Sequence, residues 1–339
     1  MEPYLPDAAK LATLREALPA TSAGIYLDTF TSGPLPEETA RAMEEADGWD
    51  LRTGRAGTDR AEDLVGRMEE ARGVLAAVIG SDPDDILLTH GVQDALSLAE
   101  RLAGQRGLTV IRHVDPLTGE VAAVPEVPDA TGESDDSALV ALDAGSSAGV
   151  FPIDVTRLDV AFLALSGQRW LLGPEGTGAL WIDRSSVPNA PAGPLAPDMD
   201  PLARSSVLGL ARSIGWLEMY VGLPWIYERT ARVGTALAAE LATVPGVTVL
   251  TPGGIRSGIV CFQIRGWPAA LAADELGSRV FAILGQPPAP DVLRISIGAF
   301  NSEEELGRLV RAVALLADHT PASLPRRANL VVLSSVDHG

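Results

Sequence analysis

The stretch Ser166–Pro174, which reads SGQRWLLGP, decides the fold of this chain. It lies between two continuous apolar runs, Val160–Leu165 and Gly178–Ile182. Such runs are typical of strands that a parallel sheet buries on both faces. The connection Gly173–Gly178 lacks the Gly-Lys-Ser/Thr ending of a phosphate-binding loop and leads into a strand. We therefore interpret it as a link between two buried strands.

This stretch carries Arg169 in a chain whose only lysine is Lys10. A guanidinium group stays protonated at any working pH, so it cannot attack an aldehyde and hold it as an imine. Lys10 lies in the N-terminal segment, far from Arg169 in the sequence. The other 25 basic residues are all arginines, which indicates a general bias towards arginine.

Outward from this stretch, strands and helices alternate on both sides of a proline-rich linker, Pro188–Pro201. Before the linker, apolar runs predict strands and helical spacing predicts helices, at Ile25–Asp28, Ile86–Thr89, Leu108–Ile111 and Ala138–Leu142 for strands and Glu37–Glu45, Asp59–Val78 and Gln93–Ala103 for helices. After it, we expect strands at Val247–Leu250, Gly258–Ile264 and Val292–Ile297 and helices at Trp216–Leu241, Ala269–Leu276 and Glu303–Ala317. The pattern predicts a large α/β domain followed by a smaller one.

Composition excludes several classes of function. The formal net charge of −19 opposes binding to nucleic acid and to anionic membranes. The single cysteine, Cys261, excludes an intrachain disulfide framework, and the four histidines show no metal-ligand spacing. The sequence shows neither a signal peptide nor a run of membrane-spanning length. We expect a cytoplasmic protein without a metal site.

Five blocks resemble, in order, the class V aminotransferase and cysteine desulfurase family of pyridoxal phosphate (PLP) enzymes. The stretch at Ser166 resembles the family's S-G-H-K-W block. The other four are Tyr26–Pro36 (YLDTFTSGPLP), Leu88–Ala95 (LTHGVQDA), Leu142–Gly149 (LDAGSSAG) and Val292–Ser296 (VLRIS). The resemblance implies a fold-type I architecture and a homodimer. Its domains would be an N-terminal segment (1–24) packed on the small domain, a large domain (25–200) with a mostly parallel sheet, and a small α/β domain (201–339).

The resemblance also implies roles for residues of this chain. Asp143 matches the aspartate that pairs with the pyridinium nitrogen of PLP, and Arg294 matches the arginine that binds the substrate carboxylate. The helix N-terminus after Gly91 matches the cradle of the cofactor phosphate, a use that free N–H groups support physically. The predicted ligand pocket comprises Gly91, Val92, Gln93, Asp143, Ser146, Ser166, Gln168 and Arg169.

The chain departs from the family pattern at the cofactor. Arg169 stands where the family has the lysine that binds PLP, and Gln168 replaces the preceding histidine. Near Val92 and Gln93 the phosphate-binding threonine is missing, and Ser146 or Ser147 lies where a glutamine is expected. Gly91 and Asp143 are so close in sequence that a unit between residues 104 and 138 is predicted to be missing, with the residue that stacks on PLP. We expect no covalently bound cofactor.

Each retained residue also has a structural interpretation. Asp143 at a strand end is more often a turn acceptor than a cofactor partner. Arg294, flanked by apolar positions, needs an anion, and a ligand carboxylate and a structural Asp or Glu are equally good candidates. Arg169 either binds a ligand anion or pairs with Asp143, and the second option is slightly favoured because it needs no ligand.

The segment Gly145–Gly149 matches G-x-S-x-G, the turn that carries a hydrolase nucleophile, with Ser147 in the middle and His319 as a candidate base. Pro152 would interrupt the helix that such a turn requires. A turn of small residues at a strand end is the favoured interpretation.

Three hypotheses for function follow. The first is a protein that binds or acts on a small anionic, amino-acid-like metabolite without covalent PLP. The second is a non-catalytic homologue that serves as a partner or structural subunit. The third is an enzyme that uses pyridoxamine phosphate or PLP held non-covalently.

Overall fold

The computed structural model describes residues 7–125, 138–254 and 257–325. Its helices are α1 (Asp7–Glu16), α2 (Ala20–Ala23), α3 (Glu37–Thr53), α4 (Thr58–Ile79), α5 (Val92–Ala103), α6 (Arg204–Trp216), α7 (Leu223–Ala242), α8 (Ala269–Val280) and α9 (Glu303–Ala317). Its strands are β1 (Ile25–Tyr26), β2 (Ile86–Thr89), β3 (Leu108–Arg112), β4 (Leu139–Asp143), β5 (Phe162–Ser166), β6 (Gly178–Ile182), β7 (Val247–Val249), β8 (Ile259–Ile264), β9 (Ala282–Ile283) and β10 (Leu293–Ser296).

The central sheet has the strand order β2-β6-β5-β4-β3. Four of these strands run in one direction, and β6 runs against them. The predicted mostly parallel sheet is thus confirmed. The direction of β6 was not predicted. Only residues 167–177 separate β5 from β6, too few for the helical crossover that a parallel neighbour requires.

Strand β3 lies at one edge of this sheet and pairs with β4 on its other side. The apolar run Leu108–Ile111 is typical of a strand buried on both faces, and that interpretation is wrong here, because Thr109 and Val110 are exposed. Among the described residues, β3 is the only strand between α5 and β4. The apolar run predicted a strand but could not show that no further strand would cover it.

The proline-rich linker packs against the opposite edge of the sheet. The backbone oxygen of Pro194 accepts a hydrogen bond from the Leu88 N–H at 2.8 Å. Ala196 is buried beside α5, and Asp198 forms an ion pair with Arg101. The linker therefore shields the edge strand β2 from pairing with another chain.

A second core surrounds the antiparallel sheet β10-β8-β7 and the parallel pair β1-β9. Helices α7, α8 and α9 supply most of its apolar side chains. Ile25 and Leu27 belong to this core. Helix α6 instead packs against α3 and α4 in the first core, which surrounds the central sheet. The two cores therefore do not follow the predicted domain boundaries at residues 25 and 201. An apolar pattern predicts that a segment is buried, but not which elements it packs against. The division into independent domains stays a prediction.

The helix predicted at Trp216–Leu241 is in fact two helices. A π-helical turn, Leu217–Val221, follows α6, and α7 begins at Leu223. Gly222 adopts a φ of 84°, and Pro224 occupies the first turn of α7, where a missing N–H carries no penalty. These two residues explain the break. No helix within the described ranges is long and apolar enough to span a membrane.

Candidate ligand-binding site

The carboxyl ends of the inner strands β4 and β5 meet the N-terminus of α5 at one end of the central sheet. Asp143 ends β4, Ser166 ends β5, and Gly91 precedes α5. A Cβ atom on Gly178 would lie 2.6 Å from the Gly91 Cα, so only glycine allows these elements to approach. Parallel strands have their carboxyl ends on the same side of the sheet, and open α/β sheets bind ligands outside these ends.

Gly145 lies where these elements converge. A Cβ atom there would clash with the Val92 side chain and would lie 3.2 Å from Asp143 Oδ1 and 3.3 Å from Arg169 Nη1. The structure thus brings together five of the predicted pocket residues, namely Gly91, Val92, Asp143, Ser146 and Arg169.

Arg169 is half-buried and anchored at one atom. Its Nη1 donates a hydrogen bond of 2.7 Å to Ser146 Oγ. Burial lowers the pKa of this guanidinium, the nearby Asp143 carboxylate raises it, and Arg112 lowers it. Within the described residues Arg169 forms no ion pair with Asp143, whose Oδ1 instead accepts from the Gly145 N–H at 3.1 Å. Asp143 is therefore a turn acceptor, and the slightly favoured Arg169–Asp143 ion pair is not formed.

The remaining predicted pocket residues have other surroundings. Gln168 joins two loops: its Nε2 donates to the Thr31 oxygen and its Oε1 accepts from the Gly176 N–H, both at 3.1 Å. Ser166 is buried in the sheet opposite Gly178. Gln93 is exposed on the first turn of α5.

Arg294 reaches the site from the second core. It lies on β10 opposite Cys261, and its Nη1 donates a long hydrogen bond of 3.4 Å to the Pro116 oxygen. Burial lowers the pKa of its guanidinium, Asp28 raises it and Arg169 lowers it. No structural Asp or Glu forms an ion pair with Arg294 in the part of the chain that the structure describes.

Phe30 connects the two arginines and was missed by sequence reasoning. The Cζ of Arg294 lies 3.7 Å from the centroid of this ring, and the Cζ of Arg169 lies 5.0 Å from it. Both distances are typical of cation–π contacts. One signal was available: in the block at Tyr26, Phe30 stands where the family pattern has alanine. Arg112, at the end of β3, was missed as well.

Ser147 does not form a hydrolase site. It is fully buried, and its Oγ contacts His113 Nδ1 at 2.8 Å and the Ala144 oxygen at 3.2 Å. His319, the candidate base, instead contacts the Leu315 oxygen in the second core. Burial lowers the pKa of His113 to about 4. The segment is therefore the turn of small residues that the sequence favoured.

His113 also lines a cavity of about 730 Å³ between the two cores. The loops after β3, β4 and β7 form its walls, with Phe151 and Thr251 among the lining residues. The described ranges contain no group of histidine, cysteine, aspartate and glutamate side chains that could hold a metal ion.

Comparison with known proteins shows what the chain is similar to. The family model Aminotransferase class-V matches residues 97–195, which include β3 to β6 and Arg169. The isopenicillin N epimerase of Streptomyces clavuligerus is 24% identical over 385 residues, which cover 86% of this chain and 94% of that protein. In sequence, the chain is similar to class V aminotransferases and cysteine desulfurases.

The similarity to a cysteine desulfurase and a cystine C-S lyase is partial in sequence and broad in structure. A probable cysteine desulfurase of Pyrococcus abyssi (strain GE5 / Orsay) is 25% identical over 231 residues, half of this chain and 56% of that protein. The solved complex of a cystine C-S lyase with its product cysteine persulfide has a TM-score of 0.75 at 18% identity, covering 90% of this chain and all of that one. This second match establishes the fold, and it agrees with the fold-type I architecture predicted from the sequence.

Among the described residues, the candidate pocket contains no lysine that could hold PLP covalently. The chain's only lysine, Lys10, lies on α1 with Nζ 4.6 Å from the centroid of the Trp225 ring. At the loop after β5, Arg169 occupies the space beside Gly145 and Ser146. A guanidinium there offers an anion two parallel N–H bonds, but it offers an aldehyde no nucleophile.

Proposed function

We propose that this class V aminotransferase-like protein binds a small anionic, amino-acid-like metabolite, with Arg294 holding the ligand carboxylate and without covalent PLP. The observation that carries the proposal is the state of Arg294. Its guanidinium is half-buried, stacked on Phe30, and has the Pro116 oxygen as its single hydrogen-bond acceptor among the described residues.

A buried cation without an anion is costly, because burial removes water that would otherwise solvate the charge. Arginine has five N–H donors, and four of those on Arg294 have no acceptor within the described part of the chain. A ligand carboxylate would accept two of them in the parallel geometry that arginine favours. The same contact would neutralise the charge.

The neighbouring carboxylates suit the ammonium group of an amino acid. Burial raises the pKa of Asp28, while Thr31 and Arg294 lower it. Asp143 lies at the other side of the site and uses Oδ1 for the Gly145 N–H. An ammonium group near either carboxylate, with the carboxylate of the same ligand on Arg294, would place opposite charges next to each other.

The test is isothermal titration of the purified full chain with four probes, L-aspartate, L-asparagine, L-serine and O-phospho-L-serine. The variant Arg294→Gln should weaken binding of the tightest probe by about 10- to 100-fold, since hydrogen bonds to charged groups are worth about 1.5–3 kcal/mol. Arg308→Gln is the matched control, because it removes an arginine that is exposed on α9. Its affinity should equal that of the wild type.

Two results contradict the proposal. One is that the wild type binds none of the four probes at millimolar concentration. The other is that Arg294→Gln and Arg308→Gln bind the tightest probe as well as the wild type does. Mass spectrometry under native conditions, on protein purified without ligand exchange, gives an independent measure of any copurifying organic anion.

A further inference from the structure

We infer that Arg169 binds a second anionic group of the ligand, a carboxylate or a phosphate, so that the site selects amino acids with a negatively charged side chain. This inference rests on the proposed function, in which Arg294 holds the α-carboxylate. Arg169 stands at the position where the family has its lysine, so the specificity belongs to this chain rather than to the family pattern.

The hydrogen bonds of Arg169 support this role. Its Nη1 donates to Ser146 Oγ, and within the described residues its other N–H donors have no acceptor. Asp143, the carboxylate that the sequence favoured as the ion-pair partner of Arg169, instead accepts a hydrogen bond at Oδ1 from the Gly145 N–H. Arg169 is therefore held in place at one atom while most of its donors remain available to a ligand.

The balance of charge favours a ligand with an extra negative charge. Besides Arg169, which acts on Arg294, the described side chains that act on these two arginines are Asp143, Asp28, Arg112 and the Cys261 thiol, whose pKa burial raises to about 12. Because that thiol is neutral, these described residues place three arginines against two aspartates and leave one net positive charge. A zwitterionic amino acid such as asparagine leaves this charge unbalanced. An acidic amino acid adds one negative charge and neutralises it.

Phe30 fixes the spacing of the two binding groups. Both guanidinium groups contact the same ring, at 3.7 Å and 5.0 Å from its centroid. Trp170 contacts Phe30 edge-to-face, with centroids 6.4 Å apart, and is itself buried. Aromatic packing therefore holds the platform, and two cations at a fixed separation suit two anionic groups on one small molecule.

The experiment compares two matched pairs of probes that differ in one negative charge. L-Aspartate is compared with L-asparagine, and O-phospho-L-serine is compared with L-serine. We expect the wild type to bind the charged member of at least one pair about tenfold more tightly, the energy of one charge-assisted contact. The pair with the larger ratio shows whether the second group is a carboxylate or a phosphate.

The variants Arg169→Gln and Arg169→Lys assign the preference. Arg169→Gln should abolish the preference, so that the variant binds the charged and uncharged members of the pair with affinities within about twofold of each other, well below one tenfold step. Arg169→Lys should retain part of the preference, because the positive charge remains while the planar fork is lost. A merely structural role would weaken all four probes alike.

Failure of this inference is distinguishable from failure of the proposed function. Equal affinity of the wild type for the charged and uncharged members of both pairs overturns the inference and leaves the binding role of Arg294 intact. A preference that survives in Arg169→Gln also overturns it. If none of the four probes binds the wild type, the proposed function and the inference both fail. Circular dichroism melts of each variant establish that the compared proteins are folded.

Discussion

Arg229 on one side and Arg169 and Arg294 on the other differ in the groups that accept their hydrogen bonds. Arg229, on α7, has a side chain that is 3% exposed, and all three of its nitrogens donate. Its Nε binds the Ala299 oxygen at 2.7 Å, Nη1 binds Asp7 Oδ2 at 2.7 Å, and Nη2 binds the Asn301 oxygen at 3.0 Å. This arginine joins α1, α7 and the loop before α9, and its charge has an anionic partner.

Arg169 and Arg294 are half-buried as well, yet each has a single hydrogen-bond acceptor among the described residues. Arg169 also contributes to the lowered pKa of Arg294. An arginine whose three nitrogens all donate, one of them to a carboxylate, stabilises the fold. An arginine that is buried without an anion indicates a binding site.

The largest effect is expected for Arg229→Met. Removing this side chain leaves the Ala299 and Asn301 oxygens without their side-chain donor, while Asp7 keeps the donors Trp225 and Arg232. The expected cost is about 1–3 kcal/mol of unfolding free energy for each buried oxygen. Arg232→Met is the control, because Arg232 lies one turn further on α7, contacts the same Asp7 at 2.9 Å and is 51% exposed. Its loss should cost less than about 1 kcal/mol. Urea unfolding measures both values, and equal losses would contradict the distinction.

His113 provides a test that depends on pH. Burial lowers its pKa from 6.5 to about 4, so the folded protein keeps it neutral while the unfolded chain takes up a proton below pH 6.5. The stability that the folded protein has with a neutral His113 is therefore fully present above pH 6.5 and decreases as pH falls towards 4. The full effect is about 3 kcal/mol.

The measurement for His113 is urea unfolding between pH 4.5 and 7.5, for the wild type and for His113→Gln. The difference in unfolding free energy between the two proteins should change with pH below 6.5 and stay nearly constant above pH 6.5. His90→Gln is the control, because His90 is exposed. If the unfolding free energies of the wild type and His113→Gln changed in parallel below pH 6.5, burial would not keep the His113 ring neutral.

A smaller effect on stability is expected for Arg294→Gln without ligand. Because Arg294 has no ion-pair partner among the described residues, its removal leaves no acid uncompensated. The unfolding free energy should change by less than about 1 kcal/mol, in contrast to Arg229→Met. A loss of about 3–5 kcal/mol would show a structural ion pair instead, and the comparison between the two sets of arginines would fail.

The smallest effect is expected for Arg169→Lys with respect to PLP. A lysine with a pKa near about 10.4 is mostly protonated at neutral pH and is a poor nucleophile. Val92 and Gln168 also remain where the family pattern has other residues. We expect substoichiometric uptake of PLP and no turnover of cysteine or alanine. Absorbance titration and peptide mapping after borohydride reduction measure this, with the wild type, which should give no adduct, as the control. Full occupancy with turnover would refute the prediction.

Much of the fold could be predicted because strands and helices follow from local patterns. Strand β6 has the predicted bounds, Gly178–Ile182, and so does helix α9, Glu303–Ala317. The split between α6 and α7 also has a local cause, in Gly222 and Pro224, but the helical spacing on both sides concealed it. The exposed edge at β3 has no local signal, because exposure depends on which strand lies next to it.

The candidate site divides in the same way. The family blocks identified Arg169, Arg294 and Asp143 from the sequence, because Arg169 follows a recognisable strand, Asp143 ends one and Arg294 lies within one. Phe30 was not identified, since its contacts with Arg169 and Arg294 join residues far apart in the chain. Patterns within one segment do not record such contacts.

The sequence by itself determined which chemistry is available to this protein. One lysine in the N-terminal segment and an arginine after β5 follow from the residue types alone, and their consequence for imine formation follows from the guanidinium pKa. Only the tertiary structure decided which arginines have partners. Arg229 meets a carboxylate and two backbone oxygens, whereas Arg169 and Arg294 meet one ring and one oxygen each. The physical reason is that the free energy of a buried charge depends on neighbours that folding brings from distant segments.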